Sequence, residues 1–461
     1  MKNIILFTIL FSCLTLWNSC VFEEPFEGLA PGKWRVHLLL DGRKNQRIDK
    51  NKRDKFQLTP KTDIIYEEVS EGELPFVWEV VHTSLTDFYI EVINGEERIK
   101  IPQEHIRYGK DKTNGHDTIR IDFPHYDSYF RGRFEENILQ GDYVLTTKDN
   151  YVIPFTARYG EDYRFSQLRK EPTLDVSGEW EVTFGVEEGG SPYKAIGEFK
   201  QDGNYLTGTF RTETGDYRFL EGTIQANKMY LSVFDGSHAF LFEAKIMEDG
   251  TLFGSFRSGN HYKCLWEGKR NPDFKLEDPY SLTYLKDGYD KFAFSFPNVD
   301  KQPVSLTDEK YKGKVKLVQI FGTWCPNCAD ETRFLTDYLK KKPTENLEVI
   351  GLAYERHKEF EKAASAVKQM KKRFDVPYEM LIAGTSKKVD AAKTLPMLNA
   401  VISYPTLIFI DKNDKGKPQI NLANFHYFLN ANNYLHKRFT LPLRMRDYSW
   451  IWSLIDSISI C

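Results

Sequence analysis

Leu317-Val318-Gln319-Ile320-Phe321-Gly322-Thr323-Trp324-Cys325-Pro326-Asn327-Cys328 carries a largely apolar run into two cysteines that stand two residues apart. The run reads as a buried strand, and the stretch from Cys328 to Leu339 reads as the helix that follows it. A cysteine pair at such a junction is what reversible dithiol–disulfide chemistry needs. The first sulfur sits over the helix N-terminus, where unpaired N–H groups and the macrodipole favour a thiolate. Such settings bring a cysteine pKa down from about 8.5 to between about 3.5 and 7.5. The second sulfur, one turn on, is placed to attack a mixed disulfide and release the substrate. A lone Cys-x-x-Cys can also be half of a zinc site, but zinc wants a second Cys-x-x-Cys or a His-x-x-x-His. The chain has neither, so no metal is expected.

Working outward, Ile402-Ser403-Tyr404-Pro405-Thr406-Leu407-Ile408-Phe409-Ile410-Asp411 is a strand pattern with a proline near its start, where a residue without an N–H is tolerated. Between the two lie a predicted strand at 347–353, a helix at 358–374, a strand at 378–383 and a helix at 386–398. With a strand at 314–321 this gives a β-α-β-α-β-α-β order and a mainly parallel sheet flanked by helices. These residues resemble the thioredoxin fold, specifically the TlpA/ResA-like periplasmic thiol–disulfide oxidoreductases. The matching pieces are Phe296-Pro297-Asn298-Val299, Val304-Ser305-Leu306, Gly313-Lys314-Val315, Phe321-Gly322-Thr323-Trp324-Cys325, Glu331 and Tyr404-Pro405-Thr406. The resemblance covers residues 293 to 411. It implies that Cys325 is the exposed attacking cysteine and Cys328 the resolving one. Glu331 matches the family's active-site glutamate, placed to exchange protons with the pair. Pro405 matches a cis-proline whose neighbouring backbone holds a substrate chain. Trp324, Pro326, Tyr404 and Pro405 are the substrate contacts so implied. Gln319 stands where cytosolic thioredoxins keep a buried aspartate, and a neutral amide fits the periplasmic branch. No cofactor is implied, and the direction of electron flow stays open because it depends on thiolate stabilisation.

The N-terminus bears on compartment. Lys2 precedes an apolar run from Ile4 to Trp17, too short for a comfortable membrane span and of signal-peptide type. It ends at Asn18-Ser19-Cys20, which resembles a bacterial lipoprotein cleavage site with Cys20 as the lipidated residue; Cys13 is a weaker rival. The expected location is a bacterial cell envelope, on its periplasmic or surface face, with membrane contact through the lipid anchor. Expected partners are exported protein thiols and disulfides and a membrane thiol protein that donates or accepts electrons.

Aromatics make up 14% of the 461 residues and the net charge is −3, which favours β-rich domains and gives no argument for nucleic acid. Residues 32 to 271 alternate in period-2 runs, such as Trp34–Leu40, Trp180–Phe184 and Phe240–Ile246, separated by turns such as Asn94-Gly95 and Asp249-Gly250. Pro31-Gly32-Lys33-Trp34-Arg35-Val36 is echoed by Ser177-Gly178-Glu179-Trp180-Glu181-Val182, and Gly132-Arg133-Phe134 by Gly208-Thr209-Phe210. Two all-β modules, each a small barrel or sandwich, are therefore expected at 32–168 and 174–271, the second lipocalin-like and the first with longer insertions. The full division is a signal peptide at 1–19, a lipid-anchored linker at 20–31, the two modules, a linker at 272–292, a thioredoxin-like α/β domain at 293–430 and an atypical tail at 431–461. After Gly416 the chain departs from the family pattern, ending in Trp450-Ile451-Trp452 and Ile458-Ser459-Ile460-Cys461, as a divergent or frame-altered tail would. The competing function is a lipoprotein binding module, in which the β modules recognise a ligand and the thioredoxin-like domain is a docking or redox-impaired unit.

Overall fold

A computed structural model describes residues 28–42, 71–410 and 412, apart from short segments at 85–86, 113–114, 124–125, 136, 147, 149, 278–281, 342 and 344–345. Cys20, the signal peptide, the long insertion of the first module and the tail after Gly416 lie outside these residues. The first sheet is built from β1 (Gly32–Leu39), β2 (Glu73–His82), β3 (Phe88–Asn94), β4 (Glu97–Pro102), β5 (Ile106–Lys110), β6 (Asp117–Phe123), β7 (Ser128–Glu135), β8 (Ile138–Leu145) and β9 (Val152–Tyr159). Its order is β4-β3-β2-β1-β9-β8-β7-β6-β5. The period-2 pattern puts Phe88, Ile90 and Val92 of β3 inside and leaves the alternate residues part-exposed, as an antiparallel sheet with one wet face requires.

The second sheet comprises β10 (Gly178–Phe184), β11 (Tyr193–Asp202), β12 (Tyr205–Thr212), β13 (Gly215–Asp216), β14 (Leu220–Gln225), β15 (Lys228–Phe234), β16 (Ala239–Ile246), β17 (Leu252–Ser258) and β18 (Tyr262–Arg270). An added β11–β12 pairing closes it on itself, which removes its main edge. Cys264 is buried in β18 as a small apolar side chain.

The Gly-x-Trp echo has a common structural cause. Gly32 and Gly178 both take positive φ, +118° and +106°, a conformation that disfavours any side chain. Each tryptophan is then buried with its ring N–H donating to the carbonyl four residues back, Trp34 to Ala30 at 3.0 Å and Trp180 to Val176 at 2.8 Å. The second echo does not mark equivalent places. Gly132 lies on β7, reached from β1 through β9 and β8, whereas Gly208 lies on β12, reached from β10 through β11.

The first sheet is curled rather than closed on itself among the described residues. Among the described residues β4 and β5 are joined by a 3-10 turn at Gln103–His105 and do not pair. The second module completes the core instead: Phe234, Ala239 and Leu241 pack into the first module's apolar cluster, and Phe234 stacks on Phe76 with ring centroids 4.5 Å apart. Burying that aromatic face offsets the exposure an open curl would otherwise leave.

The C-terminal unit begins with a hairpin of β19 (Ser295–Pro297) and β20 (Pro303–Ser305), then β21 (Val315–Phe321), α1 (Pro326–Lys341), β22 (Leu347–Glu355), α2 (Phe360–Phe374), β23 (Glu379–Thr385), α3 (Lys388–Thr394) and β24 (Thr406–Ile410). The sheet order is β23-β22-β21-β24, with β21, β22 and β23 parallel and β24 antiparallel to β21. β21 is buried along its whole length, which explains its unbroken apolar character. α3 is shorter than the helix predicted over 386–398, because Pro396 disfavours helical backbone at Leu395. The connector is pinned rather than loose: Leu285 bridges Leu398, and the Lys286 N–H donates to the Met397 carbonyl at 2.8 Å.

Candidate dithiol site

β21 ends at Phe321 and delivers the chain to the C-terminal edge of the parallel strands, where open α/β sheets form their crevices. Gly322 is needed there, since a Cβ would meet the Trp324 indole nitrogen at 2.2 Å. Pro326 is the first residue of α1, a position whose N–H has no helical partner anyway. Cys325 therefore stands at the helix cap. Its carbonyl accepts the Ala329 N–H at 3.1 Å, and its sulfur accepts the Cys328 N–H at 3.3 Å. Both cysteines are free thiols.

The peptide bond Tyr404–Pro405 is cis, and the Tyr404 carbonyl lies 3.5 Å from the Cys325 sulfur. Trp324 packs edge-on against Tyr404 with ring centroids 5.6 Å apart, and its indole N–H donates to the Tyr354 carbonyl at 2.9 Å. Cys325, Cys328, Trp324, Pro326, Tyr404 and Pro405 are thus brought together. Cys325 departs from its expected exposure, being only 7% accessible among these neighbours. Cys328 is fully buried, and burial with the adjacent Cys325 sulfur pushes its thiol well above the ordinary value.

Glu331, one turn beyond Cys328, is completely buried, so it is not a solvated helix carboxylate. Its Oε2 accepts from Gln319 Nε2 at 2.8 Å, and Gln319 Oε1 accepts the Tyr378 hydroxyl at 3.1 Å. Burial raises the Glu331 pKa well above the carboxylate range; the Gln319 bond opposes this and the Cys325 charge adds to it.

Sequence reasoning missed Glu355, which closes β22 beside the end of β21. Its carboxyl accepts the Thr323 N–H at 2.9 Å and the Thr323 hydroxyl at 2.7 Å, two residues before Cys325. Burial lifts its pKa to about 7, against those two bonds. The signal available was position: a carboxyl at the end of the strand next to the cysteine strand. Arg356, also missed, lies 4.8 Å over the Trp324 ring. Both β modules reach this site as well. Asp127 of the first lies 3.7 Å from His357, and Arg218 of the second contacts Asn327 and Asp330.

A parallel sheet feeding a cysteine pair onto a helix cap, opposite a cis-proline, defines a thioredoxin-like dithiol domain. Residues 267–421 match the Redoxin family model, so the C-terminal region of this chain is a Redoxin domain. The thiol:disulfide interchange protein DsbE of Pseudomonas aeruginosa is 30% identical over 135 residues, covering 29% of this chain and 66% of that protein. The thiol-disulfide oxidoreductase ResA of Bacillus thuringiensis is 27% identical over 142 residues, covering 31% of this chain and 75% of that protein. A solved thiol-disulfide oxidoreductase from Bacteroides fragilis is 19% identical, with a TM-score of 0.23, covering 28% of this chain and 86% of that one. The domain is of the thiol–disulfide oxidoreductase class, and the strands β1 to β17 precede the residues that match the Redoxin model. Among the described residues no helix is long and apolar enough to cross a membrane, and no cluster of metal-ligating side chains occurs.

Proposed function

We propose that this protein is an envelope thiol–disulfide oxidoreductase, anchored through lipid on Cys20, that reduces or exchanges disulfides of exported proteins. The Cys325 thiolate attacks one sulfur of a substrate disulfide, forming a mixed disulfide and releasing the other sulfur as a thiolate that takes up a proton. Cys328 then attacks the Cys325 sulfur and breaks its bond to the substrate; the protonated Glu331 would give its proton to the departing substrate sulfur and be reprotonated by Cys328. The substrate gains two electrons and two protons, and Cys325–Cys328 becomes a disulfide. A thiol protein of the membrane would return the pair to the dithiol, and the reverse cycle would oxidise substrates. Trp324, Tyr404 and Pro405 would hold the substrate backbone beside Cys325.

The observation that carries this reading is the Cys325 sulfur, which accepts the Cys328 N–H at the helix cap and lies 3.5 Å from the Tyr404 carbonyl. The test is a redox titration of the full chain against graded glutathione or dithiothreitol, with thiols trapped by alkylation. A two-thiol transition between roughly −100 and −350 mV, lost in Cys325→Ser, is the expected result. A folded chain with no such transition would overturn the proposal and leave a binding role for the β modules.

A further inference from the structure

We propose that Arg218, carried by the second β module, is a positioning residue of the dithiol and sets its redox balance. This rests on the redox reading above. Arg218 sits in the turn between β13 and β14 with φ +65°, its N–H tied to Asp216 Oδ1 at 3.0 Å, and its side chain is only 4% exposed. Nη1 donates to Asn327 Oδ1 at 2.8 Å and to Asp330 Oδ2 at 2.6 Å. Nη2 donates to Glu97 of the first module, and Nε lies 3.6 Å from Asp235 Oδ2 of the second. One guanidinium therefore joins all three folded units, and it does so at Asn327, one of the two residues between the cysteines.

The remaining partners show a built junction rather than a chance contact. Asp235 is fully buried and accepts the N–H groups of Ser237 and His238 at 2.8 and 2.7 Å, with the His238 ring at 2.9 Å. Asn94 donates to Glu97 at 3.1 Å, and Arg333 donates to the other oxygen of Asp330. Asp330 begins the second turn of α1, two residues after Cys328, and its negative charge disfavours a thiolate at the helix cap. Arg218 offsets that charge, and its Nη1 holds Asn327 of the Cys-Pro-Asn-Cys turn as well as Asp330 while its other nitrogens face Glu97 and Asp235, a spread that one ammonium does not cover. Without it, Asp330, Glu97 and Asp235 are left with less positive charge close to the dithiol. The thiolate is disfavoured, the reduced form loses stability relative to the disulfide, and the pair becomes a stronger reductant. Arg356 and Glu331, which also act on Cys325, stay in place.

The test uses the full chain as wild type, Arg218→Met, Arg218→Lys and Asp330→Asn, each equilibrated with glutathione and alkylated at pH 7. Arg218→Met is expected to move the dithiol–disulfide equilibrium about tenfold toward the disulfide, about 30 mV for two electrons, and to slow Cys325 alkylation several-fold. Arg218→Lys should recover part of both. Asp330→Asn removes the charge that Arg218 offsets and should shift the equilibrium the opposite way, which keeps the proposal falsifiable if Arg218→Met fails to fold. Equilibria within twofold of wild type for Arg218→Met, or a shift of Asp330→Asn toward the disulfide, would overturn the role of Arg218 while leaving the redox reading intact. A wild-type chain that never cycles would overturn both.

Discussion

The β modules bury arginines beside carboxylates, whereas the Redoxin domain buries carboxyls beside neutral groups. Arg164 lies 3.1 Å from Glu221, Arg211 lies 2.6 Å from Glu198, and Arg257 lies 2.5 Å from Asp41. Glu331 has the Gln319 amide instead, and Glu355 has the N–H and hydroxyl of Thr323. A buried charge with an opposite charge beside it stays ionised and fixes how surfaces meet. A buried acid with neutral neighbours holds its proton to higher pH than an exposed one and can hand it on. The first arrangement serves assembly, the second proton chemistry, and three variants test whether that division is real.

The largest effect is expected at Arg164, which leaves the segment after β9 and reaches both modules. Its guanidinium donates to the Ile93 and Ser232 carbonyls at 2.6 and 3.0 Å, as well as to Glu221. Arg164→Met strands a carboxylate and several carbonyls, and the cost of breaking such a pair is about 3–5 kcal/mol. Urea unfolding of the full chain followed by tryptophan fluorescence measures it. A loss below about 1 kcal/mol, the range of surface pairs, would break the comparison on the β side.

Glu355 is next, and its signature is in the pH dependence. Its folded pKa of about 7 stands above the ordinary 4.5. Below about pH 4.5 both folded and unfolded states hold the proton, so the full contribution to stability is present. Between 4.5 and 7 the unfolded carboxyl ionises first, and stability falls as pH rises, by on the order of 3 kcal/mol in all. Glu355→Gln should lack this slope, so its stability deficit against wild type narrows from pH 4.5 to 7. Parallel curves for the two proteins would show that Glu355 titrates normally when folded.

How legible each region was in the sequence follows the same division. The dithiol and its proline could be read because their chemistry is compressed into two short stretches, Trp324–Cys328 and Tyr404–Thr406. Trp34 and Trp180 could be paired because each motif is local, a glycine of positive φ two residues before the ring. The Arg218 junction could not, since Glu97, Asp235, Asn327 and Asp330 are ordinary polar residues until three folded units converge on them. Glu355 escaped for a related reason. Tyr354-Glu355-Arg356-His357 reads as the polar end of a strand, and only the β21–β22 register puts its carboxyl beside Thr323. The burial of Cys325 likewise depends on packing that no motif records. The open curl of the first sheet was hidden too, because alternation specifies an inner face without saying which module fills it.

The smallest change in stability, and the sharpest test of the proton side, is expected at Glu331. Its Oε1 has no hydrogen-bond partner among the described residues, consistent with a carboxyl held neutral by burial. Glu331→Gln keeps the shape, the neutral state and an oxygen to accept from Gln319 Nε2, so stability at pH 7 should change by less than about 1 kcal/mol. The amide cannot pass a proton to the departing sulfur and be reprotonated by Cys328, as a neutral carboxyl can. Positioned acid–base groups contribute typically 10²–10⁴-fold, and with water as the fallback carrier a loss of about tenfold in the resolving step is a conservative expectation. Stopped-flow mixing of the dithiol form with a small aromatic disulfide, repeated across pH 5 to 9, separates attack from resolution. Attack by Cys325 should proceed at the wild-type rate, while release of the second thiol slows most toward the low end of this range, where the wild-type carboxyl holds the proton it passes on, and the two proteins converge as Glu331 ionises with rising pH. A variant with both steps unchanged would make Glu331 a buried acid with no proton to move, and the contrast between the two halves of the molecule would then be one of packing alone.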